Sequence, residues 1–317
     1  MSDRQINILM LGGAKRVSMA EQLIRAGKEA GATVRIFSHE LDTEEPIAAV
    51  GTVIAGGKYS SPEIDKELDG IIAEHHINIV LPFVDPAVEV ASRVKTRNKN
   101  VFVPVSDEGM SAAMFDKEIA ATIFEKHGLP IPKTYTAENM TFPAILKPRT
   151  GSASKGIIVA EKADDIAEVQ DFGKYLIQEY IADREEYSVD CYVGMSDGKV
   201  KCAVTRLRIA TVGGEVVKTR TVSIAKLEEA SITTLQKLGL KGAVTLQFIH
   251  DLKHDNYVLM EINPRLGGGV ICSILAGADI ARMIIDESEG RVAKENNDWA
   301  EGTLMTRYFK EVMFHNK

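Results

Sequence analysis

The residues best suited to chemistry lie in the segment GAVTLQFIHDLKHDNYVLMEINPR, residues 242–265. It reads as a hairpin with strands at 244–250 and 258–263, joined by a polar loop at 251–256. The symmetric register sets Gln247 opposite Glu261 and Thr245 opposite Asn263. Val244, Leu246, Phe248, Val258, Met260 and Ile262 then share one apolar face, and Gln247, Glu261 and Asn263 share the other. Oxygen donors converging on a rigid ribbon suit a hard divalent cation, Mg²⁺ being the commonest where phosphates complete its octahedron. Pro264 ends the strand, and Arg265 follows where it could reach the same anion. A Glu and an Asn on a strand are more often plain solvated surface. Two features favour the chemical reading: both are poor strand formers, and the Gly-rich turn PRLGGGV comes next.

Basic residues upstream have no obvious acid partner. Arg206 and Arg208 are two apart, as are Lys218 and Arg220. A three-residue VGG loop sets Arg206 against Arg220 and Arg208 against Lys218. Like charges directly across a ladder are destabilising, so an anion such as triphosphate belongs over them. A two-residue turn shifts the register by one and removes that argument. Lys147 interrupts the apolar strand AILKP, and Lys117 opens a helix after Asp116; each could contact a phosphate. The stretch TGSASKG, residues 150–156, could cradle phosphate oxygens with its N–H groups, although GxxxxGK[ST] is absent. The N-terminal GGAKR is not GxGxxG, which leaves a nicotinamide site there little support.

The elements that must position these residues fall into two blocks. Up to about residue 105, strands at 6–11, 33–38, 53–54, 77–82 and 101–105 alternate with helices at 18–30, 64–75 and 88–94. This alternation implies a parallel sheet with helices on both faces. Later come a helix at 116–127, strands at 143–148 and 157–160, a helix near 164–173 and a strand at 175–181. An antiparallel meander at 186–224, a helix at 226–238, the hairpin and a helix at 271–287 follow. With 317 residues, the chain is long enough for about two domains. A net charge of −7 repels phosphate backbones, so nucleic acid is not the expected partner. No apolar run approaches membrane-spanning length, and the first residues lack signal-peptide features. The three cysteines, Cys191, Cys202 and Cys272, have no CxxC spacing, which fits reduced thiols in a cytoplasmic protein.

Five segments, taken in order, resemble the ATP-grasp superfamily and within it the branch like the carbamoyl-phosphate-synthase large subunit. They are a Rossmann-like N-terminal block, SDEGMSAAMFDK before a helix ending HGLPIPKTY, FPAILKPRTGSASKGI, LIQEYIADREEYSVDCY, and GAVTLQFI…LMEINPRLGGG. The resemblance implies an α/β and α+β chain. Residues 1–105 would be a Rossmann-like pre-ATP-grasp domain. Residues 106–317 would be an ATP-grasp domain of two α+β subdomains clamping ATP, with a lid at about 130–180. Lys117 and Lys147 look like phosphate contacts, and residues 150–156, including Ser152, Ser154 and Gly156, like a loop closing over them. Gln178, Glu179 and Ile181 look like the adenine-binding hinge, with Glu186 as ribose acceptor. Gln247, Glu261 and Asn263 look like ligands of two Mg²⁺ (or Mn²⁺) ions; a Gln in the first position is similar to the carbamoyl-phosphate-synthase branch. Arg265 looks like a phosphate contact beside the metals, and Arg206 and Arg220 from the basic cluster join it as candidate catalytic cations. Arg265 to Gly269, Ser273 and Arg220 are candidates for a substrate carboxylate. The implied activity is ATP-dependent ligation, in which a carboxylate becomes an acylphosphate that an amine or thiol attacks. Such an enzyme has small-molecule partners and could form a homodimer. The chain shows no duplicated half and no glutamine amidotransferase signature, so synthesis of carbamoyl phosphate itself is not expected. A non-catalytic ATP-binding protein and a nicotinamide-dependent oxidoreductase are the competing readings.

Overall fold

The computed structural model describes residues 4–151 and 155–315. The apolar run INILML forms β1 (Gln5–Leu11), flanked by β2 (Thr33–Glu40) and β4 (Ile79–Pro82), with β3 (Thr52–Ala55) at the far edge. All pairs are parallel, in the order β3-β2-β1-β4. β1 is apolar from Ile8 to Leu11 because both of its faces are covered there. Ile6, Ile8 and Met10 pack towards α1 (Val17–Glu29), and Leu9 and Leu11 towards α2 (Ile64–Glu74) and α3 (Asp85–Arg97). The expected strand at 101–105 reduces to one bridge, Ile79 with Phe102. Pro104 has no N–H to give a ladder there.

Helices α4 (Glu108–Phe115) and α5 (Lys117–Lys126) lead into a small antiparallel sheet. Its strands are β5 (Thr134–Tyr135), β6 (Ala144–Pro148), β7 (Ile158–Ala160) and β8 (Tyr175–Glu179), in the order β5-β8-β6-β7. The helix expected near 164–173 does not form. Two short 3₁₀ turns, Ala163–Ile166 and Phe172–Lys174, replace it. Only Ile166 of the first turn is buried, and the Asp165 carboxylate accepts from the N–H groups of Glu161 and Lys162, which favours a tight turn.

The expected meander is present as β9 (Arg184–Val193), β10 (Val200–Val212) and β11 (Glu215–Thr221). With β12 (Gly242–Asp251), β13 (Asn256–Asn263) and β14 (Leu304–Thr306) it makes one antiparallel sheet, ordered β13-β12-β9-β10-β11-β14. One face packs on α5 and α6 (Ala225–Leu238) through Val189, Cys191, Leu246 and Phe248. From the other face, Tyr192, Cys202 and Val204 join the core that holds β1 and α1, so one apolar core ties the two blocks together. The helix expected over 271–287 is two helices, α7 (Val270–Leu275) and α8 (Ile280–Ser288). Gly277 at φ +118° breaks it, and Asp279 caps α8 by accepting from the Arg282 N–H.

Candidate active site

A cleft of about 500 Å³ lies between the small sheet and the large sheet. Its end is closed by the start of α3 and the Gly267–Gly269 loop. The floor is the β12–β13 hairpin. Gln247 stands opposite Glu261 and Thr245 opposite Asn263, as the alternation predicts. Gln247 Nε2 donates to Glu261 Oε1 at 2.6 Å, and Asn263 Nδ2 donates to the same oxygen at 2.9 Å. Rotating the Gln247 amide by half a turn exchanges its nitrogen for its oxygen and sets that oxygen beside those of Glu261; the Asn263 oxygen is held by Arg265 Nη2 at 3.2 Å and would have to leave that bond to join them. Such a donor set fits a hard cation, but it carries one negative charge, so phosphates must supply the rest. Among the described residues no group of three or more His, Cys, Asp or Glu side chains is placed to hold a metal; Glu261 is the one carboxylate of this set, and the two amides would add neutral oxygens.

The register shifts by one between Gln247 and Phe248. This bulge sets Leu259 opposite Phe248 in the core, and Met260, expected in the core, is half-buried on the cleft wall.

The roof is β6 and β8. Lys147 is buried, and its Nζ donates to Gln178 Oε1 at 3.0 Å; Gln178 Nε2 donates to the Pro132 carbonyl at 3.3 Å. Burial pushes the Lys147 ammonium down to about 8. Glu261 and Glu186 pull it up, and Lys117 and Arg184 push it further down. Lys147 therefore senses Glu261 although the two belong to different sheets. Lys117 sits at the first turn of α5, whose N-terminus Asp116 caps by accepting from Glu118 and Ile119. Its Nζ donates to the Gly151 carbonyl at 2.9 Å, at the start of the loop. Ser152 and Ser154 lie outside the described residues. Gly156 occupies an exposed turn at φ +73°.

At the edge of the cleft, the Glu179 N–H donates to the Lys133 carbonyl at 2.9 Å, and its carboxylate accepts from the Lys133 N–H at 2.8 Å. The Tyr180 N–H donates to the Pro143 carbonyl. Among the described residues the Ile181 N–H meets no protein acceptor, while its carbonyl accepts from Arg184 Nη1 at 2.7 Å. Glu186 lies between Arg184 at 3.1 Å and Arg208 at 3.4 Å.

The basic cluster is corrected in two ways. The hairpin turn is the two-residue Gly213–Gly214, both at positive φ, the conformation that a tight twisted hairpin needs. Arg206 therefore faces Thr221, Arg208 faces Thr219, and Arg220 faces Leu207. Arg220 is exposed and does not line the cleft. Arg206 is not a free cation: its Nε and Nη2 reach the Asp190 carboxylate at 2.7 and 3.0 Å, and both residues are 1% exposed. Thr245 and Ser273 also donate to Asp190, at 3.0 and 2.6 Å. This buried network explains the Gly-rich turn. A Cβ on Gly269 would lie 2.3 Å from Arg206 Nη1, and one on Gly267 would lie 2.6 Å from Thr245 Oγ1. Arg265 does reach the cleft. Its Nε bonds Asp85 at 2.5 Å and its Nη2 donates to Asn263 Oδ1 at 3.2 Å, which ties the hairpin to the start of α3.

Asp190, Asp85, Arg184 and Arg16 also shape this cleft and went unmarked in the sequence. Asp190 had a usable signal, an acid inside the apolar run YSVDCYV, which requires a buried partner.

A family model described as "ATP-grasp in the biosynthetic pathway with Ter operon" matches residues 171–311. The biotin carboxylase domain of Hydrogenobacter thermophilus 2-oxoglutarate carboxylase superposes with a TM-score of 0.75 at 16% identity, over 93% of this chain and 72% of that one. The chain has the ATP-grasp fold. N5-carboxyaminoimidazole synthetase from Staphylococcus aureus superposes with a TM-score of 0.71 at 16% identity, over 91% of this chain and 78% of that one. Both structures were solved with ADP, the first also with its magnesium salt and bicarbonate. Among curated sequences, the N-terminal section of the carbamoyl phosphate synthase large chain from Methanopyrus kandleri is 23% identical over 82% of this chain. The large chain from Methanobrevibacter smithii is 22% identical over 75%. This chain spans 48% of the first relative and 26% of the second. No described helix is long and apolar enough to cross a membrane.

Proposed function

We propose that this ATP-grasp chain is an ATP- and Mg²⁺-dependent ligase that activates a carboxylate as an acylphosphate for attack by an amine or a thiol. The observation that carries this reading is a cleft faced by buried Lys147 from one sheet and by Gln247, Glu261 and Asn263 from another. Phosphoryl transfer needs positioning and charge neutralisation rather than a protein nucleophile. Lys147 and Lys117 would hold phosphate oxygens, and the 150–156 loop, with Ser152, Ser154 and Gly156, would cover them. Gln178 orients Lys147. Glu179 and the Ile181 N–H, which meets no acceptor among the described residues, would recognise adenine, and Glu186 the ribose. Gln247, Glu261 and Asn263 would hold two Mg²⁺ (or Mn²⁺) ions, which when bound neutralise the transferring phosphoryl group. Arg265, anchored by Asp85, would meet the carboxylate or phosphate beside them, and Arg206 would act only by supporting the Gly267–Gly269 loop.

Residues 1–105 would serve as the pre-ATP-grasp domain, 106–317 as the ATP-grasp domain and about 130–180 as its lid. The likeness to carbamoyl phosphate synthase extends in this proposal to nucleotide and metal binding, with small-molecule acids and amines or thiols as partners. A cytoplasmic site of action and a homodimer belong to the same proposal. The nicotinamide alternative is weakened by the stretch after β1, which reads GGAKR and lacks the GxGxxG spacing. The test is ADP release with panels of small acids and amines or thiols. Release requiring Mg²⁺ and one member of each class supports the reading, and release indifferent to every added acid refutes it.

A further inference from the structure

We propose that Arg16 is a substrate-binding residue whose free Nη1 holds the carboxylate of a small organic acid at the Gly267–Gly269 end of the cleft. The proposal rests on the ligase reading and adds a chemical class to it. Arg16 follows GGAK after β1 and lines the cleft. Its side chain is 15% exposed, and Nη2 bonds Glu215 Oε1 at 2.6 Å. Nη1 is fully buried and, among the described residues, has no hydrogen-bond partner. Buried guanidinium N–H groups are ordinarily satisfied, so an orphan on a cleft wall points to an acceptor brought by a ligand.

Two further guanidinia surround it. Arg307 Nη1 meets Glu215 Oε2 at 3.2 Å, and its Nη2 donates to the Gly268 carbonyl. A Cβ on Gly268 would come within 3.3 Å of both Arg16 Nη1 and Arg307 Nη2, so both cations reach the loop at one point. Burial lowers the Arg16 pKa, Glu215 opposes this, and the charges of Arg307 and Arg265 lower it further. Arg16, Arg265 and Arg307 face two carboxylates, Glu215 and Asp85. One positive charge is left over, matched by a single carboxylate. The position agrees with the topology: Arg16 follows the carboxyl end of β1 and Asp85 that of β4, the edge of a parallel sheet where ligands bind.

The test is calorimetric titration of acetate, succinate, L-aspartate and inorganic phosphate into the full chain carrying MgADP, as wild type, Arg16→Gln and Arg16→Lys. The proposal expects at least one of the three acids to bind the wild type. Arg16→Gln should weaken it about ten-fold or more, a loss of about 1.4 kcal/mol. Arg16→Lys, which keeps the charge but not the fork, should fall between them, and MgADP affinity should be the same in all three. Equal acid affinity in wild type and both variants overturns the proposal. So does an effect confined to inorganic phosphate, a loss of MgADP affinity in the variants alone, or a wild type that binds MgADP but none of the acids. A wild type that fails to bind MgADP removes the ligase reading first, and this assignment with it.

Discussion

Lys147 is the group whose charge a bound nucleotide should alter most. Burial brings its ammonium down to about 8. Nucleotide-free protein should therefore be charged there in about nine-tenths of molecules at pH 7, about half at pH 8 and about one-tenth at pH 9. A phosphate beside Nζ favours the charged form. Binding of a non-hydrolysable MgATP analogue should then draw about 0.1 proton per site at pH 7, about 0.5 at pH 8 and about 0.9 at pH 9. Calorimetry in buffers of different ionisation heat reads this number directly. Lys147→Met supplies the baseline, because the nucleotide's own titration is common to both proteins. Proton uptake that rises from pH 7 to 9 in the wild type and is absent from the variant is the expected result. Equal uptake by the two proteins at pH 8 and 9 would refute the placing of phosphate at Lys147. The same displacement has a stability counterpart. The unfolded lysine titrates near 10.5, so the unfolded chain holds more protons between pH 8 and 10.5. Nucleotide-free stability should rise across that window by about 3 kcal/mol and lose the gain as pH falls through 8. Urea unfolding of wild type against Lys147→Met checks the sign.

Other outcomes follow from the same geometry. Asp190→Ala strands a buried guanidinium and should cost about 3–5 kcal/mol in urea unfolding; a cost under about 1 kcal/mol, typical of a surface pair, would show that the Asp190–Arg206 pair is not buried. Gln247→Glu places a second carboxylate directly across the ladder from Glu261. It should destabilise the metal-free protein by about 0.2–1 kcal/mol yet raise its Mg²⁺ affinity, so thermal melts with and without Mg²⁺ should reverse the order of variant and wild type. Glu261→Ala should lower Mg²⁺-dependent ATP turnover about 100-fold with its circular dichroism unchanged, and undiminished turnover would remove the metal role.

Much of the fold was legible because its signals are local. Largely apolar runs such as INILML mark parallel strands, and period-two alternation alone places Gln247 opposite Glu261. The failures share a cause: they depended on turn geometry or distant partners. One glycine more or fewer in the 213–214 turn decides which face Arg220 takes, and residue types alone do not settle that count. The bulge that turns Met260 into the cleft wall is a one-residue slip invisible to periodicity. Arg206 looked like a free cation because Asp190, its partner, sits 16 positions earlier on a neighbouring strand. Arg16 and Asp85 reach the cleft only because the parallel sheet is docked against the hairpin, a contact between segments 180 residues apart. A broken helix at Gly277 and a failed one near 164–173 follow from a positive φ and a scarcity of buried apolar residues, neither of which the amphipathic pattern reports.

The most direct test of the central claim is a crystal structure with Mn²⁺ and ADP, with anomalous scattering used to locate the metal. The account predicts an anomalous peak within about 2.0–2.3 Å of oxygens from Gln247, Glu261 and Asn263, with phosphate against Lys147 and adenine at Glu179–Ile181. Mn²⁺ bound elsewhere, or ADP seated at Gly12–Gly13 beside β1, would contradict it.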